Sequence, residues 1–221
     1  MAGNVDTLYR QVRAMAAAFE FKPEQRINES ELSKTLGVSR TPLREALNRL
    51  VAEGLLTSQE GRGFFCRSLD PKQIVHLYEL RLAVETEAAM RAVERASDEE
   101  IAELNAYMKA VAPDYNSDMS AREIVRLDEE FHLRLAALSQ NMELVRTLEN
   151  INERVRYVRW ISMRQKRDIT HAAHQSIVES LIARNGVETV KILRNHIEKS
   201  TEEATETVRT AFSQLYVPGA E

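Results

Sequence analysis

The chain has 221 residues, 43% hydrophobic and 29% charged, with only 7 Gly and 5 Pro, which suits one large or two modest helix-rich domains. A disulfide-stapled miniprotein and a disordered or fibrous chain are excluded: Cys66 is the single cysteine, so it has neither an internal disulfide partner nor a second thiolate for a metal site. The net charge of −4 is uneven, with 10 basic against 9 acidic residues up to Asp70 and 20 against 25 beyond, which argues against indiscriminate coating of nucleic acid but leaves room for a local basic face.

Turn-forming residues concentrate early, since Gly3, Gly37, Gly54, Gly61 and Gly63 all precede Asp70. Leu8, Val12, Met15, Ala16 and Phe19 recur at helical spacing before Pro23, which predicts a first helix from Leu8 to Phe19. Asn28 with Glu31 three residues on reads as a cap for a second helix through Leu32 and Leu36, which Gly37 ends. Ser39 or Thr41 caps a third, Pro42 fits its first turn, Leu43, Leu47 and Leu50 supply its buried face, and Gly54 closes it. Leu55 to Thr57 and Phe64 to Cys66 are β-prone runs around a glycine-bearing turn, so they read as a hairpin holding Cys66 as a small apolar residue.

After Asp70-Pro71 come long amphipathic segments, predicted as helices over about 71–95, 98–112, 120–139, 141–164, 168–184 and 187–212. The breaks fall at Ser97-Asp98, Pro113 to Asp118, Gln140-Asn141, near Asp168 and at Asn185-Gly186, and Val217-Pro218 ends the pattern. No fixed-period repeat is present, which favours a bundle over a solenoid. The fold class is therefore mostly α: a winged helix-turn-helix over 1–70, then an all-helical bundle of about six helices over 71–221. The longest apolar run, Ala14 to Phe19, is too short to span a bilayer, and no basic-then-apolar leader opens the chain, so a cytoplasmic protein without membrane contact is expected.

Two helices joined by Leu36-Gly37-Val38-Ser39 are the arrangement in which the second helix enters the major groove. On that helix Arg40 and Arg44 are four apart, on the face opposite Leu43, Leu47 and Leu50, and both can point at base edges or phosphates. Ser39 and Thr41 lie at the helix start, where backbone N–H groups favour phosphate, and Arg62 lies between two wing glycines. The alternative is that the arginines only solvate a helix face; for Arg49, near Glu45, the two readings balance. The run Leu36-Gly37-Val38-Ser39-Arg40-Thr41-Pro42-Leu43-Arg44-Glu45-Ala46-Leu47, with Glu53-Gly54-Leu55-Leu56 and Gly61-Arg62-Gly63, resembles the winged helix-turn-helix of GntR-family bacterial transcription regulators over most of residues 8–67. The resemblance implies DNA contacts from Ser39, Arg40, Thr41, Arg44 and Gly61. The fatty-acid-responsive member of the family has Arg where this chain has Ser30, so a different operator sequence is expected.

Four of the five histidines follow residue 130. Asp128 and His132 are four apart on one helix, while His174 and His196 sit within apolar patterns on the fifth and sixth effector helices, so three helices can converge on one ion. By periodicity alone, a lone His on a half-buried helix is more often a hydrogen-bonded structural residue. The stretch Asp128-Glu129-Glu130-Phe131-His132-Leu133-Arg134-Leu135, then Ser139-Gln140-Asn141, His174 and Asn195-His196-Ile197, resembles the FCD effector domain of the FadR subfamily over about 72–212. That resemblance implies a divalent metal held by Asp128, His132, His174 and His196. His171 falls outside the pattern, and Ala173 stands where an acidic residue commonly supports the following histidine.

An Asp/His₃ set leaves coordination positions open, and Zn²⁺, Ni²⁺ or Mn²⁺ would accept carboxylate oxygens there, Zn²⁺ being the leading choice. A small organic acid is thus the expected effector. Arg81 matches a family arginine that can pair with it, or else pairs with Glu85 one turn on; Arg156 and Tyr157 are weaker pocket residues, and Trp160 reads as core. The leading function is a homodimeric transcription regulator that binds a palindromic operator in double-stranded DNA and answers to an acid at the metal, with the first and fourth effector helices as the dimer surface. Glu129-x-x-His132 is also the spacing of carboxylate di-iron bundles, but position 193, three before His196, is Leu, so an enzyme is disfavoured. A purely structural metal clamp is the remaining alternative, and no nucleophile-base pair or phosphate-cradling loop points to catalysis.

Overall fold

The computed structural model describes residues 2–112, 119–162 and 168–216, with side chains described over 6–112, 119–162 and 171–208. The chain forms two compact units, the first built on Met1–Asp70 and the second on Pro71–Ala211.

The first unit orders α1 (Ala2–Ala17), α2 (Glu29–Thr35), α3 (Arg40–Ala52), β1 (Leu56–Gln59) and β2 (Gly63–Cys66). Helix α1 starts six residues before its apolar stripe and stops at Ala17, because Phe19 adopts a left-handed φ of 52° ahead of Pro23. Its Leu8, Val12 and Ala16 pack on Leu43, Leu47 and Leu50 of α3 and on Leu55, Leu56 and Phe64. Asn28 Oδ1 accepts from the Glu31 amide at 3.2 Å, as the capping pattern requires. Gly37, at φ 65°, makes the turn into α3, and the Ser33 hydroxyl holds that turn by donating to the Val38 carbonyl at 2.6 Å. Strands β1 and β2 are antiparallel, from Leu56 opposite Cys66 to Gln59 opposite Gly63. The segment before α2 pairs with β2 as well: the Ile27 amide donates to Phe64 O at 2.8 Å and the Cys66 amide to Gln25 O at 2.9 Å.

The second unit holds α4 (Pro71–Arg95), α5 (Asp98–Val111), α6 (Ala121–Ala137), α7 (Met142–Ser162), α8 (Asp168–Ile182) and, as far as Ala211, α9 (Gly186–Tyr216). The breaks agree with the capping residues in the sequence: Ser97 with Glu100 and Ser120 with Glu123 form reciprocal capping boxes. The expected turn at 113–118, the end of the fourth effector helix at 163–164, and Val217-Pro218 lie outside the described residues. Helix α9 runs past the expected residue 212 to Tyr216. Helix α6 packs on α4, α5 and α7, α4 also on α7, and α5 on α8. Ala88, Ala89 and Ala92 of α4, Phe131 and Leu135 of α6, Leu148 and Ile151 of α7, Ile177 and Leu181 of α8, and Leu193 and Ile197 of α9 are all buried. The fold is mostly α, a winged helix-turn-helix followed by a helical bundle. Among the described residues, no helix is long and apolar enough to cross a membrane.

Candidate metal centre and nucleic-acid interface

Burial of Ile124, Val125, Phe131 and Leu135 turns one face of α6 inward, and that rotation carries Asp128 and His132 into the bundle with it. Helix α8 buries His174 between Ala173 and the apolar Ile177 and Val178, and α9 brings His196 beside Leu193 and Ile197. One ligand atom from each of Asp128, His132, His174 and His196 lies within 4.8 Å of the others. His196 Nε2 is 3.3 Å from both His132 Nε2 and His174 Nε2. His174 Nε2 stands 3.4 Å from Asp128 Oδ1, and His132 Nε2 stands 3.7 Å from Asp128 Oδ2. A metal with ligand bonds of about 2.0–2.2 Å sets neighbouring donor atoms roughly 3–3.5 Å apart, so the spacing fits the group.

The surrounding charges prepare the donors. Glu85 of α4 accepts from His132 Nδ1 at 2.5 Å, which places that ring's proton on Nδ1 and aims the Nε2 lone pair at the cluster. Burial pushes the His174 pKa down to about 4 and His196 well below its ordinary value, so both rings are neutral ligands at neutral pH. Burial works against the Asp128 and Glu85 carboxylates, yet each stays ionised. Arg159 and His132 hold Asp128 well below the usual range, and Arg81 with His132 holds Glu85 at about 2. Phe131 stacks on His174 with ring centroids 4.0 Å apart, fixing the ring plane. His174 Nδ1 is buried without a hydrogen-bond partner among the described residues, in keeping with Ala173 where an acidic supporter was expected.

The expected effector residues divide. Arg81 Nε pairs with Glu85 at 2.5 Å, so the ion-pair alternative holds, while its Nη2 is buried and unpaired beside the centre. Arg156 is taken by Glu129 and Glu153, with Nη2 at 2.6 Å from Glu129 Oε2. Tyr157 stands edge-on to Trp160, with centroids 6.5 Å apart. The sequence reading passed over Arg159, which donates to Asp128 through Nη2 and keeps Nη1 buried without a hydrogen bond, 3.7 Å from Glu129 Oε1. It also passed over Asn152, which is 1% exposed with both amide atoms unpaired. Asn152, Arg156 and Arg159 share an α7 face at i, i+4 and i+7, a stripe that was the available signal. His171 turns to the Met108 carbonyl at 3.4 Å instead of the cluster.

In the first unit Arg40 and Arg44 are exposed on the α3 face opposite the fully buried Leu43, Leu47 and Leu50. Arg40 Nη2 donates to Ser30 Oγ at 2.7 Å, and Arg44 Nε lies 3.4 Å from Glu29 Oε2. Ser39 is the α3 N-cap but its side chain caps no amide, and Thr41 is exposed inside the first turn, so the first-turn N–H groups stay open to phosphate. Gly61, at φ 69°, and Arg62 form the exposed wing turn, with the Arg62 guanidinium 5.5 Å from the Phe65 ring centre. Arg49 pairs with Asp6 at 3.2 Å and lies over Tyr9 at 3.9 Å, tying α3 to α1.

Residues 76–199 match the FCD domain, and residues 4–66 match the bacterial regulatory proteins of the gntR family. The Nta operon transcriptional regulator of Aminobacter aminovorans is 44% identical over 202 residues, 91% of this chain and 95% of that protein. An uncharacterised helix-turn-helix regulator of Bacillus subtilis, YdhC, is 34% identical over 68% of this chain and 67% of its own length. The solved structure of E. coli McbR/YncC shares the fold with a TM-score of 0.70 at 17% identity, over 91% of this chain and 97% of that one. Both sequence relatives are named as transcriptional regulators. With a helix-turn-helix that presents two arginines and, later in the sequence, an FCD domain, the chain belongs to the FCD-containing branch of the GntR family and is a DNA-binding regulator of transcription.

Proposed function

We propose that the protein is a homodimer in which residues 1–70 read a palindromic operator and residues 71–221 sense a small carboxylic or sugar acid at a divalent metal. Operator contacts are assigned to Ser39, Arg40, Thr41, Arg44, Gly61 and Arg62. Asp128, His132, His174 and His196 would hold the ion. One carboxylate and three imidazoles suit a borderline ion, Zn²⁺ first and Ni²⁺ or Mn²⁺ next. When bound, the ion supplies open positions to the carboxylate oxygens of the acid. The observation that carries this reading is the convergence of four donors from α6, α8 and α9 beside two buried guanidiniums, each with a nitrogen that makes no hydrogen bond. Arg81 Nη2 is a buried charged donor without a hydrogen-bond acceptor, and Arg159 Nη1 has only a 3.7 Å ion pair with Glu129 Oε1, a costly state that an anionic ligand relieves. Arg156 would join only by leaving Glu129 and Glu153, and Tyr157 keeps a lining role. The acid acts on transcription to the extent that it binds the DNA-competent and incompetent conformers unequally.

A structural clamp is the second reading, favoured by the way the four donors join three helices. Thermal melts of chelated and metal-loaded protein against a panel of carboxylic and sugar acids separate the two. The expected result is a midpoint that rises with metal, rises again with acids of one class, and loses both shifts in His174→Ala. A metal shift to which no acid adds would favour the clamp, and no metal shift at all would sink both.

A further inference from the structure

Arg26 lies outside the helix-turn-helix and matches no sequence signal for DNA contact. Its side chain is exposed. It faces the same concavity as Ser30, Arg40 and Arg44, a hollow of about 440 Å³ at the start of α2 and α3. The backbone fixes it there: Arg26 bridges Phe65 of β2, held on either side by the Gln25 and Ile27 hydrogen bonds to that strand. Gly63, at φ 92°, lies next to two of the lining side chains; a Cβ there would stand 3.5 Å from Glu29 Oε1 and 3.9 Å from Arg26 Nε.

The charges around the hollow are unequal. Glu29 Oε2 is engaged by Arg44, and Arg40 by the neutral Ser30 hydroxyl, so three guanidiniums, that of Arg26 included, line the hollow against one carboxylate and leave it an excess of positive charge. A recognition helix in a major groove about 12 Å wide is flanked by phosphate ridges, and a cation set between that helix and the wing meets a ridge before it meets base edges. We propose that Arg26 is a DNA-backbone anchor, a phosphate contact supplied by the strand that pairs with the wing and not by the helix-turn-helix. This rests on the reading of DNA by α3 and the wing.

The test uses the full chain, fluorescence anisotropy, and two labelled duplexes of equal length. One duplex is selected from a randomised pool by the wild-type protein, and the other is its scrambled counterpart; salt runs from about 50 to 200 mM. Arg26→Gln is expected to weaken binding to both duplexes by the same factor, roughly fivefold to tenfold near 0.1 M salt, and to reduce the slope of log affinity against log salt by about 1. Arg26→Lys is expected to keep the slope, whereas Arg44→Ala is expected to lose affinity mainly on the selected duplex. Wild-type affinity and slope in Arg26→Gln, a loss confined to the selected duplex, or a loss with unchanged slope would each overturn the anchor. Should the wild type select no duplex, sequence reading by α3 fails, yet an arbitrary duplex of the same length still measures the Arg26 share.

Discussion

Glu85 gives one oxygen to His132 Nδ1 and the other to Arg81, so a single buried carboxylate sets a ring tautomer and places a guanidinium. Glu85→Gln keeps the shape and removes the charge. Metal affinity is expected to fall about 10–100-fold, the usual cost of losing a group that orients a ligand, as measured by competition with a chromogenic chelator. Affinity within twofold of the wild type would mean that another group fixes the His132 ring. Much of this centre was legible: the i, i+4 spacing of Asp128 and His132, and two histidines inside apolar stripes, are local patterns. Arg159 and Asn152 were not, because a polar stripe on α7 reads as a solvated face until α6 lays Asp128 against it. Glu85 was visible only as a partner for Arg81; its second bond spans 47 residues, which no local period encodes.

At the scale of elements, the cluster depends on where α6 begins and how it is rotated. The Ser120 hydroxyl accepts from the Glu123 amide at 3.3 Å, and the Glu123 carboxylate accepts from the Ser120 amide at 2.9 Å, satisfying two first-turn donors. Ser120→Ala is expected to cost about 1 kcal/mol and to lower the thermal midpoint by about 2–4 °C in calorimetry, without changing which residues bind metal. An unchanged midpoint would show that the Glu123 amide is satisfied without the Ser120 hydroxyl. Capped starts such as α2, α5 and α6 were readable because the cap is a local side-chain bond. The true start of α1 was not, since Ala2 to Thr7 carries no apolar spacing. Nor was the pairing of Gln25 and Ile27 with β2, a contact across some forty residues that puts Arg26 beside the reading helix.

Across the whole molecule, the two units differ in how they respond to acid. In the first unit, the described groups with shifted pKa values are Tyr9, raised to about 12, and Cys66, raised to about 11, chiefly by burial; both stay neutral throughout the acid range. In the second, His174 titrates near 4 folded against 6.5 ordinarily, and Glu85 near 2 against 4.5. As pH falls from about 6.5 to 4 the unfolded chain takes up a histidine proton that the folded chain refuses, and from about 4.5 to 2 the same holds for the carboxylate. The unfolded state therefore binds more protons throughout, and stability falls steadily with pH. Acid is thus expected to open the second unit first, seen as a change in emission from Trp160, the single tryptophan, and as lost amide protection in α6 and α8 while α3 stays protected. Saturating metal should shift that loss to lower pH, because each ligand must shed its proton to bind. Loss of protection in α3 and α6 together at one pH, unmoved by metal, would place the acid sensitivity outside the Asp128, His132, His174 and His196 centre.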